Sequence, residues 1–332
     1  MTLPWDAIVR RSLSAEGITR EEGRAILALP DDEVLTALRA AFEVRQVRFG
    51  KRVKVCVLQN AKSGLCPEDC HYCSQSSVSN AKIDKYPLMD KELLVEGARR
   101  AAASGAKRYC MVASGRGPSD EDIAHFCEVT REIRKELPLE ICVCLGLLSE
   151  EQARRLKGAG VGWVNHNLNT SERFYPEICA THTYQDRVDT VKNVRKAGLM
   201  TCSGGIVGMG ETDEDILDMA FAARALSLDS IPINFLHPIP GTPMEAHAFL
   251  TPMKCLKVLC LFRFLSPTSE IRAAGGREVN LRSLQALALY PANSVFVEGY
   301  LTTPGQQADD ARRMIEDMGF EVEEANVEAA PA

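Results

Sequence analysis

From residue 52 onward, short runs of apolar and β-branched residues alternate with longer segments in which apolar residues recur at helical spacing. The runs predict eight strands: 52–58, 108–112, 140–145, 162–168, 200–207, 230–236, 270–273 and 294–298. The segments between them predict helices at 120–136, 149–157, 185–197, 213–225, 252–264, 282–289 and 307–318. Such alternation is typical of βα units and a parallel sheet. It predicts an α/β fold, a (β/α)8 TIM-type barrel with its chemistry at the carboxyl ends of the strands, and an open doubly wound sheet is the alternative.

The two ends of the chain have different patterns. Residues 1–50 contain short amphipathic helical stretches and predict an N-terminal helical extension that packs on the barrel. Residues 51–320 hold the alternating units and predict the barrel itself. Residues 321–332 are acidic and rich in alanine, without periodicity, so we expect a mobile C-terminal tail.

Three cysteines lie directly after the first predicted strand with the spacing C-x3-C-x2-C: Cys66, Cys70 and Cys73. Zinc sites usually combine two separate cysteine or histidine pairs. Here the nearby additional ligand is His71, which lies inside the loop itself and does not form a second pair. A chain of 332 residues buries its own core and does not need the disulfides of a small secreted scaffold. A cubane iron–sulfur cluster takes four thiolates, so three would leave one iron open to a ligand that is not protein. The triplet therefore favours a catalytic iron–sulfur cluster, with zinc as the alternative.

Three further cysteines fall in three different predicted strands: Cys110, Cys142 and Cys202. A single cysteine in a strand usually packs as a small hydrophobic residue, and this interpretation fits Cys179. Barrel strands converge on one axis, however, so three thiols on one lumen favour a second metal–sulfur centre. Arg272, in the seventh predicted strand, either forms a strand-end salt bridge or points into the barrel, where it needs an electron-rich partner.

Asparagines occupy alternate positions of the fourth predicted strand: Asn165, Asn167 and Asn169. Strand residues two apart share a face, and buried amides need hydrogen-bonding partners. The row therefore predicts a site for a polar small molecule such as a ribose, and a strand end that turns into a loop is the alternative. Asn234 repeats the pattern on the sixth predicted strand. His182 has no metal-ligand spacing to another histidine and is interpreted as structural.

The charge balance excludes other classes of protein. The net charge is -6 and the pI about 5.7, so no sequence-wide basic field recruits nucleic acid or an anionic membrane surface. The first residues lack the apolar region of a signal peptide, and no stretch is long and apolar enough to span a membrane. We expect a cytoplasmic protein whose twelve cysteines stay reduced or ligate metal.

The cysteine loop, with the aromatic Tyr72 just before its third cysteine, resembles the signature of the radical S-adenosylmethionine enzymes. More narrowly, four motifs in this order are similar to those of the biotin synthase family: 63–75 (SGLCPEDCHYCSQ), 165–170 (NHNLNT), 202–212 (CSGGIVGMGET) and 301–304 (LTTP). The similarity runs from about residue 51 to residue 318.

The resemblance implies a sulfurtransferase that performs the last step of biotin biosynthesis, inserting sulfur between two unactivated carbons of dethiobiotin. It implies a [4Fe–4S] cluster on Cys66, Cys70 and Cys73, with S-adenosyl-L-methionine chelating the fourth iron. One electron from a reduced flavodoxin or ferredoxin would then cleave S-adenosylmethionine and release a 5′-deoxyadenosyl radical.

The resemblance also implies a [2Fe–2S] cluster whose bridging sulfide is the sulfur donor, held by Cys110, Cys142, Cys202 and Arg272. Cys144 lies two residues from Cys142 and shares its strand face. It is interpreted as a spare thiol one layer away, and a second cluster of another type is the alternative.

The resemblance assigns further residues to cofactor and substrate binding. Asn167 and Asn169 match family residues near the ribose and the substrate, and Asn234 matches one near the ureido group. Tyr72 and Asn165 belong to the same cofactor- and substrate-binding set. Some family members have aspartate where this chain has Asn169, so the amide keeps the hydrogen bonding and lacks the charge.

Partners and alternative functions follow from the same resemblance. The family is typically dimeric, which implies a homodimer, and iron–sulfur assembly machinery is implied as the partner that rebuilds the sacrificed cluster. One alternative is another radical S-adenosylmethionine barrel enzyme, similar to the hydrogenase maturase or the methylornithine synthase. The other is a nonenzymatic iron–sulfur sensor or electron carrier, which would need neither a barrel nor an asparagine row.

Overall fold

Parallel strands close into a barrel at the centre of the computed structural model, which describes residues 3–323. The strands are β1 (Arg52–Lys62), β2 (Arg108–Ala113), β3 (Glu140–Cys144), β4 (Trp163–Asn165), β5 (Met200–Cys202), β6 (Gly205–Val207), β7 (Ser230–Phe235), β8 (Glu270–Ala273), β9 (Ser294–Val297) and β10 (Glu321–Val322). They pair in the order β1, β2, β3, β4, β5, β7, β8, β9, with β6 also on β7, and β9 pairs with β1. The ring is closed, so the predicted TIM-type barrel is confirmed.

Two predicted strands are shorter or divided in the structure. β5 and β6 together replace the predicted strand 200–207, with a break at residues 203–204. A Cβ atom on Gly204 would lie 1.9 Å from the carbonyl oxygen of Pro232, so this close approach of β7 requires glycine. β4 ends at Asn165 rather than at residue 168.

Helices surround the barrel and precede it. They are α1 (Trp5–Ser12), α2 (Arg20–Leu27), α3 (Val34–Phe49), α4 (Lys91–Ala103), α5 (Asp120–Glu136), α6 (Glu150–Ala159), α7 (Tyr184–Lys196), α8 (Asp213–Ala225), α9 (Pro252–Leu265), α10 (Arg277–Leu281) and α11 (Ala308–Asp317). The sequence prediction missed α4. The predicted helix 282–289 is a 3₁₀ helix. It begins at Arg282, whose φ of 53° ends α10. In the part of the chain that is described, no helix is long and apolar enough to cross a membrane.

The N-terminal helices pack on one side of the barrel, against α8 and α9. Ile8, Val34 and Leu38 belong to the same buried apolar core as α9. Ser12 donates a hydrogen bond from Oγ to the carbonyl oxygen of Phe264, near the end of α9, at 2.7 Å. The contact is apolar burial with a polar anchor, the usual way an amphipathic helix is held on a domain.

The C-terminal end of the described chain adds a strand to the barrel. β10 pairs in parallel with Arg52 and Val53 at the start of β1. The segment predicted as a tail therefore begins with two paired residues. Residues 324–332 of that segment lie outside the described residues, and their mobility stays a prediction.

Asp215, in the first turn of α8, joins that helix to the segment after β4. Its carboxylate accepts hydrogen bonds from Ser171 Oγ and Thr212 Oγ1, both at 2.6 Å, and pairs with Arg173. Burial alone would raise the pKa of Asp215, but these partners hold it well below its usual range.

Replacing Asp215 with Asn is expected to lower the free energy of unfolding by about 2 kcal/mol at neutral pH, the usual contribution of hydrogen bonds to a charged group. The pKa is lowered by folding, so this contribution is present above the unfolded value of 3.8 and is lost as the pH falls below it. Urea unfolding of both proteins at several pH values should show the difference shrinking in acid. The exposed Asp317, changed to Asn, is the control, and a pH-independent difference for Asp215→Asn would contradict this account.

Candidate active site

A cavity of about 290 Å³ lies at the carboxyl ends of the barrel strands and reaches into the lumen. Most of the residues predicted to bind cofactors or substrate line it: Tyr72, Cys73, Cys110, Asn165, Asn167, Cys202, Asn234 and Arg272. A larger cavity of about 540 Å³ lies at the opposite end of the barrel, where Lys54, Trp163 and Glu270 line it. None of the predicted thiols lines that second cavity, so the smaller one is the candidate site.

The loop after β1 carries the cysteine triplet, and Cys73 of this loop lines the cavity. Cys66 and Cys73 are half-buried, and Cys70 is buried. The backbone N–H of Cys73 donates to the carbonyl oxygen of Cys70 at 3.1 Å, which folds the loop back on itself. Burial raises the pKa of the Cys73 thiol to about 11. A metal that binds the Cys73 thiol therefore has to displace its proton.

The Cys70 thiol meets residues that the sequence prediction treated as structural. Its Sγ lies 3.9 Å from Sγ of Cys179, which in turn is 3.3 Å from Nδ1 of His182. These three side chains place their ligand atoms within 4.8 Å of one another. The shared hydrogen bond raises the pKa of Cys70 and lowers that of Cys179. The spacing Cys179-x2-His182 is the available sequence signal, and by itself it is weak.

The three strand thiols converge inside the lumen as predicted from barrel geometry. Cys110 on β2 is paired in register with Cys142 on β3, and both are buried. Hydrogen bonding to Cys110 and Cys202 raises the pKa of Cys142 well above its usual value. The same contact with Cys142, together with the charge of Arg272, lowers the pKa of Cys202 to about 5. The arrangement is a buried group of thiols with an anionic member beside a cation.

Arg272 points into the lumen and also forms the ion pair that the alternative interpretation required. Its Nη1 lies 3.7 Å from Sγ of Cys202, and its Nε donates to Ser294 Oγ at 2.9 Å. Its Nη2 pairs with the carboxylate of Glu270, which is two residues earlier on β8. The guanidinium carbon lies 4.6 Å from the ring centroid of Phe296. Arg272 is thus fixed on all sides and directed at a thiol.

Cys144 lies one layer above Cys142, toward the open end of the barrel. It is half-buried and lines the cavity, whereas Cys142 does not. Its register partner on β2 is Val112, one layer above Cys110. Its position agrees with the interpretation as a spare thiol outside the group formed by the other three.

The asparagine row is divided by the end of β4. The Nδ2 of Asn165 donates to Oδ1 of Asn167 at 3.3 Å, and both side chains line the cavity. Asn169 has φ 71° and leaves the strand pleat. Its Nδ2 donates to the hydroxyl of Tyr72 at 2.6 Å. This hydrogen bond joins the segment after β4 to the cysteine loop. The prediction of one common face is therefore wrong for Asn169, because its left-handed backbone places its side chain against Tyr72 of the cysteine loop.

A charged network below the strand thiols escaped the sequence prediction. Arg108 on β2 donates to the carboxylate of Glu270 at 3.1 and 3.0 Å, and Lys54 Nζ lies 3.5 Å from the same carboxylate. Burial opposes the charge on Glu270, but Arg108 and Arg272 hold the pKa of its carboxyl well below its usual range. The guanidinium of Arg108 stacks 3.6 Å from the ring centroid of Trp163. Nothing in the local sequence marks these residues, because they meet only when the barrel closes.

Replacing Glu270 with Gln is expected to lower the free energy of unfolding by about 3–5 kcal/mol, since it leaves buried cations without their common counter-charge. The change keeps the shape of the side chain and removes its charge. Urea unfolding of the metal-free chain measures the effect. Glu92→Gln on the exposed face of α4 is the matched control, and equal midpoints for the two variants would show that Glu270 does not stabilise the network.

The chain matches two protein-family models and is similar to known proteins over almost its whole length. Residues 62–223 match the model of the radical SAM superfamily, and residues 232–321 match that of the Biotin and Thiamin Synthesis associated domain. A biotin synthase from Halalkalibacterium halodurans is 54% identical over 319 residues, which cover 96% of this chain and 96% of that protein. The biotin synthase of Bacillus subtilis is 52% identical over 319 residues, or 96% of this chain and 95% of that protein.

Solved structures share the fold at much lower identity. The crystal structure of a methylornithine synthase superposes with a TM-score of 0.83 at 20% identity and covers 97% of both chains. The FeFe-hydrogenase maturase from Carboxydothermus hydrogenoformans gives 0.81 at 18% identity, covering 97% of this chain and 80% of that one. At this level of identity the two likenesses show the fold alone.

Proposed function

This chain belongs to the biotin synthase family of radical S-adenosylmethionine enzymes, and from that membership we propose that it converts dethiobiotin to biotin by inserting sulfur between two unactivated carbons. The observation that carries the assignment is the single cavity that joins Cys73 at its mouth to Cys202 and Arg272 at its floor. A reaction that starts at one metal–sulfur centre and takes sulfur from another needs both centres to open on one chamber.

The cysteine triplet fits a [4Fe–4S] cluster with one open iron. Cys66, Cys70 and Cys73 supply three free thiols on one loop, of which Cys73 lines the cavity, and thiolates are the ligands such clusters take. Tyr72 and Asn169 hold the loop against the barrel through their hydrogen bond. S-adenosylmethionine would complete the cluster, and the resemblance of the whole motif supports this ligand.

The strand thiols and Arg272 fit a [2Fe–2S] cluster. Cys110, Cys142 and Cys202 are buried together, and the Arg272 guanidinium is held beside Cys202 by Glu270 and Ser294. A buried cation next to thiolates balances the negative charge that such a centre carries. When bound, the [4Fe–4S] cluster with S-adenosylmethionine would supply the carbon-centred radical chemistry, and the [2Fe–2S] cluster would supply the sulfur.

The protein's own part is to hold dethiobiotin in a dry chamber. Leu58, Val112, Ile206 and Phe296 give the cavity an apolar wall that excludes water and stray hydrogen donors. Asn234 is fixed at the wall, because its Nδ2 donates to Gly205 O at 3.0 Å and its Oδ1 accepts from Gly275 N–H at 2.9 Å.

Each atom of the Asn234 amide retains hydrogen-bonding capacity, since the amide nitrogen has a second N–H and the oxygen a second lone pair. A ureido group presents the complementary C=O and N–H. Asn167 is less free: its Oδ1 accepts from the N–H of Gly204 at 3.1 Å, which leaves its amide N–H groups to face the cavity. We assign Asn234 to the ureido group and Asn167 to the ribose end of the chamber.

The finer partners rest on family membership. We propose a flavodoxin or ferredoxin as the electron donor, iron–sulfur assembly machinery that restores the consumed sulfide, a cytoplasmic location and a homodimer. The twelve cysteines are all free thiols in the structure, as a reducing compartment maintains them.

Anaerobic reconstitution with iron and sulfide tests the function. The reconstituted chain, given S-adenosylmethionine, dethiobiotin and a low-potential reductant, is expected to produce 5′-deoxyadenosine and biotin. Formation of 5′-deoxyadenosine without biotin would point to another radical S-adenosylmethionine reaction. Formation of neither product by protein with full iron content would exclude the proposed function.

A further inference from the structure

The cysteine loop runs beside the segment that follows β4. Where the two segments meet, the buried thiols of Cys70 and Cys179 face each other. Cys70 Sγ lies 3.9 Å from Cys179 Sγ, although the two residues are 109 positions apart in the sequence. Next to this pair, the N–H of His71 donates to the carbonyl oxygen of Ile178 at 2.9 Å. The residue after Cys70 is thus hydrogen-bonded to the residue before Cys179, so the two backbones are held close at this point.

The other side of the thiol pair is fixed as well. The carboxylate of Asp69 accepts hydrogen bonds from the N–H groups of Ala180 and Thr181 at 3.0 and 3.2 Å. Asp69 precedes one cysteine and Ala180 follows the other, so the two segments are clamped on both sides of the facing thiols. The Oδ1 of Asp69 also lies 3.2 Å from Cys179 Sγ.

Cys66 and Cys73 lie in the same loop and are alternative disulfide partners for Cys70, but the Cys70 thiol is hydrogen-bonded to Cys179. Among the described residues, its side-chain hydrogen bond goes to Cys179, and none joins it to Cys66 or Cys73. A disulfide requires an S–S distance of about 2.0 Å and backbones held at a suitable separation. The two sulfur atoms are 3.9 Å apart, and the hydrogen bonds on both sides of them hold the two backbone segments together.

We propose that Cys70 and Cys179 form a reversible disulfide when the chain carries no cluster and meets peroxide. One thiol attacks hydrogen peroxide, the O–O bond breaks, and a sulfenic acid forms as one water leaves. The second thiol attacks that sulfur, the S–O bond breaks, and a second water carries away the oxygen with the remaining protons. The two cysteines lose two electrons in total, and the peroxide gains two.

The disulfide has a consequence that rests on the proposed function, in which Cys70 is a cluster ligand. While it is oxidised to a disulfide, Cys70 cannot hold a cluster, and it is also kept from irreversible oxidation to the sulfinic acid. A thiol reductant restores both sulfurs. Cys179 is therefore a protective partner for a ligand that is exposed to oxidation each time the cluster is lost.

Peptide mapping of the cluster-free full-length chain tests this assignment. The chain, its Cys179→Ser variant and a Cys127→Ser control are treated with hydrogen peroxide in molar excess, because a sulfinic acid consumes two peroxides per cysteine, and are then alkylated and digested. Cys127 is a buried cysteine outside all of the thiol groups described above, so its variant is expected to match the unaltered chain. Circular dichroism confirms that each variant is folded.

In the unaltered chain and the Cys127→Ser control, the main cross-linked peptide is expected to join Cys70 to Cys179. The Cys179→Ser variant is expected to accumulate at least about tenfold more Cys70 sulfinic acid and to regain less cluster absorbance after reduction and reconstitution, following the oxidation ladder of thiols. A main cross-link within the triplet, or equal Cys70 over-oxidation in both chains, would overturn the proposal. The cross-link is read without iron, so its absence is distinguishable from a failure to bind a cluster.

Discussion

Replacing Cys66 with Ala is expected to abolish both 5′-deoxyadenosine and biotin formation. Loss of a residue that merely supports a metal ligand typically costs 10–100-fold, so loss of a ligand itself is expected to cost more than about 100-fold. Among the described residues, no hydrogen bond joins Cys66 to the strand thiols, and Cys66 lies in the loop after β1 rather than on a barrel strand.

Iron analysis and S-adenosylmethionine cleavage measure the outcome. The Cys66→Ala protein should lose the iron of one centre and retain that of the other. Cys127→Ser is the control for the loss of a cysteine as such. If Cys66→Ala cleaved S-adenosylmethionine at the rate of the unaltered chain, the triplet would not be the site of that reaction.

Replacing Cys202 with Ala is expected to separate the two halves of the reaction. The variant should still cleave S-adenosylmethionine, because Cys66, Cys70 and Cys73 are untouched. It should form biotin at less than about one hundredth of the normal rate, since the lumen group loses the thiol nearest Arg272.

The measurement is the ratio of 5′-deoxyadenosine to biotin in the same reaction, which is expected to rise steeply for Cys202→Ala. Cys144→Ala is the matched control, because Cys144 is also a lumen thiol but lies one layer above the group. Equal ratios for Cys202→Ala and the unaltered chain would contradict the assignment of the second centre. A steep rise for Cys144→Ala would show that the second centre extends to that layer.

The barrel could be predicted from sequence because each of its strands has a local signature. β8 was predicted with its observed bounds, 270–273, and a glycine pair follows it at 275–276. The sequence prediction missed α4, although Leu94, Val95, Ala98 and Ala101 recur at helical spacing and form its buried face. The 3₁₀ helix at Arg282–Leu289 has helical periodicity, and periodicity does not distinguish the two helix types.

The site was predictable in its ligand types and less so in its geometry. Thiols on three strands must meet if the barrel closes, so the sequence alone predicts Cys110, Cys142 and Cys202 as a group. The departure of Asn169 from the strand depends on its left-handed backbone conformation, which no pattern of alternation reveals. Contacts such as that of Cys70 with Cys179 join segments distant in sequence, and they follow from the folded chain alone.

The central claim is that one chain holds two different iron–sulfur centres at two separate groups of residues. Mössbauer spectroscopy of the anaerobically reconstituted chain, beside Cys66→Ala and Cys202→Ala, tests it most directly. We expect signals of a [4Fe–4S] and a [2Fe–2S] cluster in the unaltered chain, with the first missing from Cys66→Ala and the second from Cys202→Ala. A single cluster type in the unaltered chain, or loss of both signals in either variant, would contradict it.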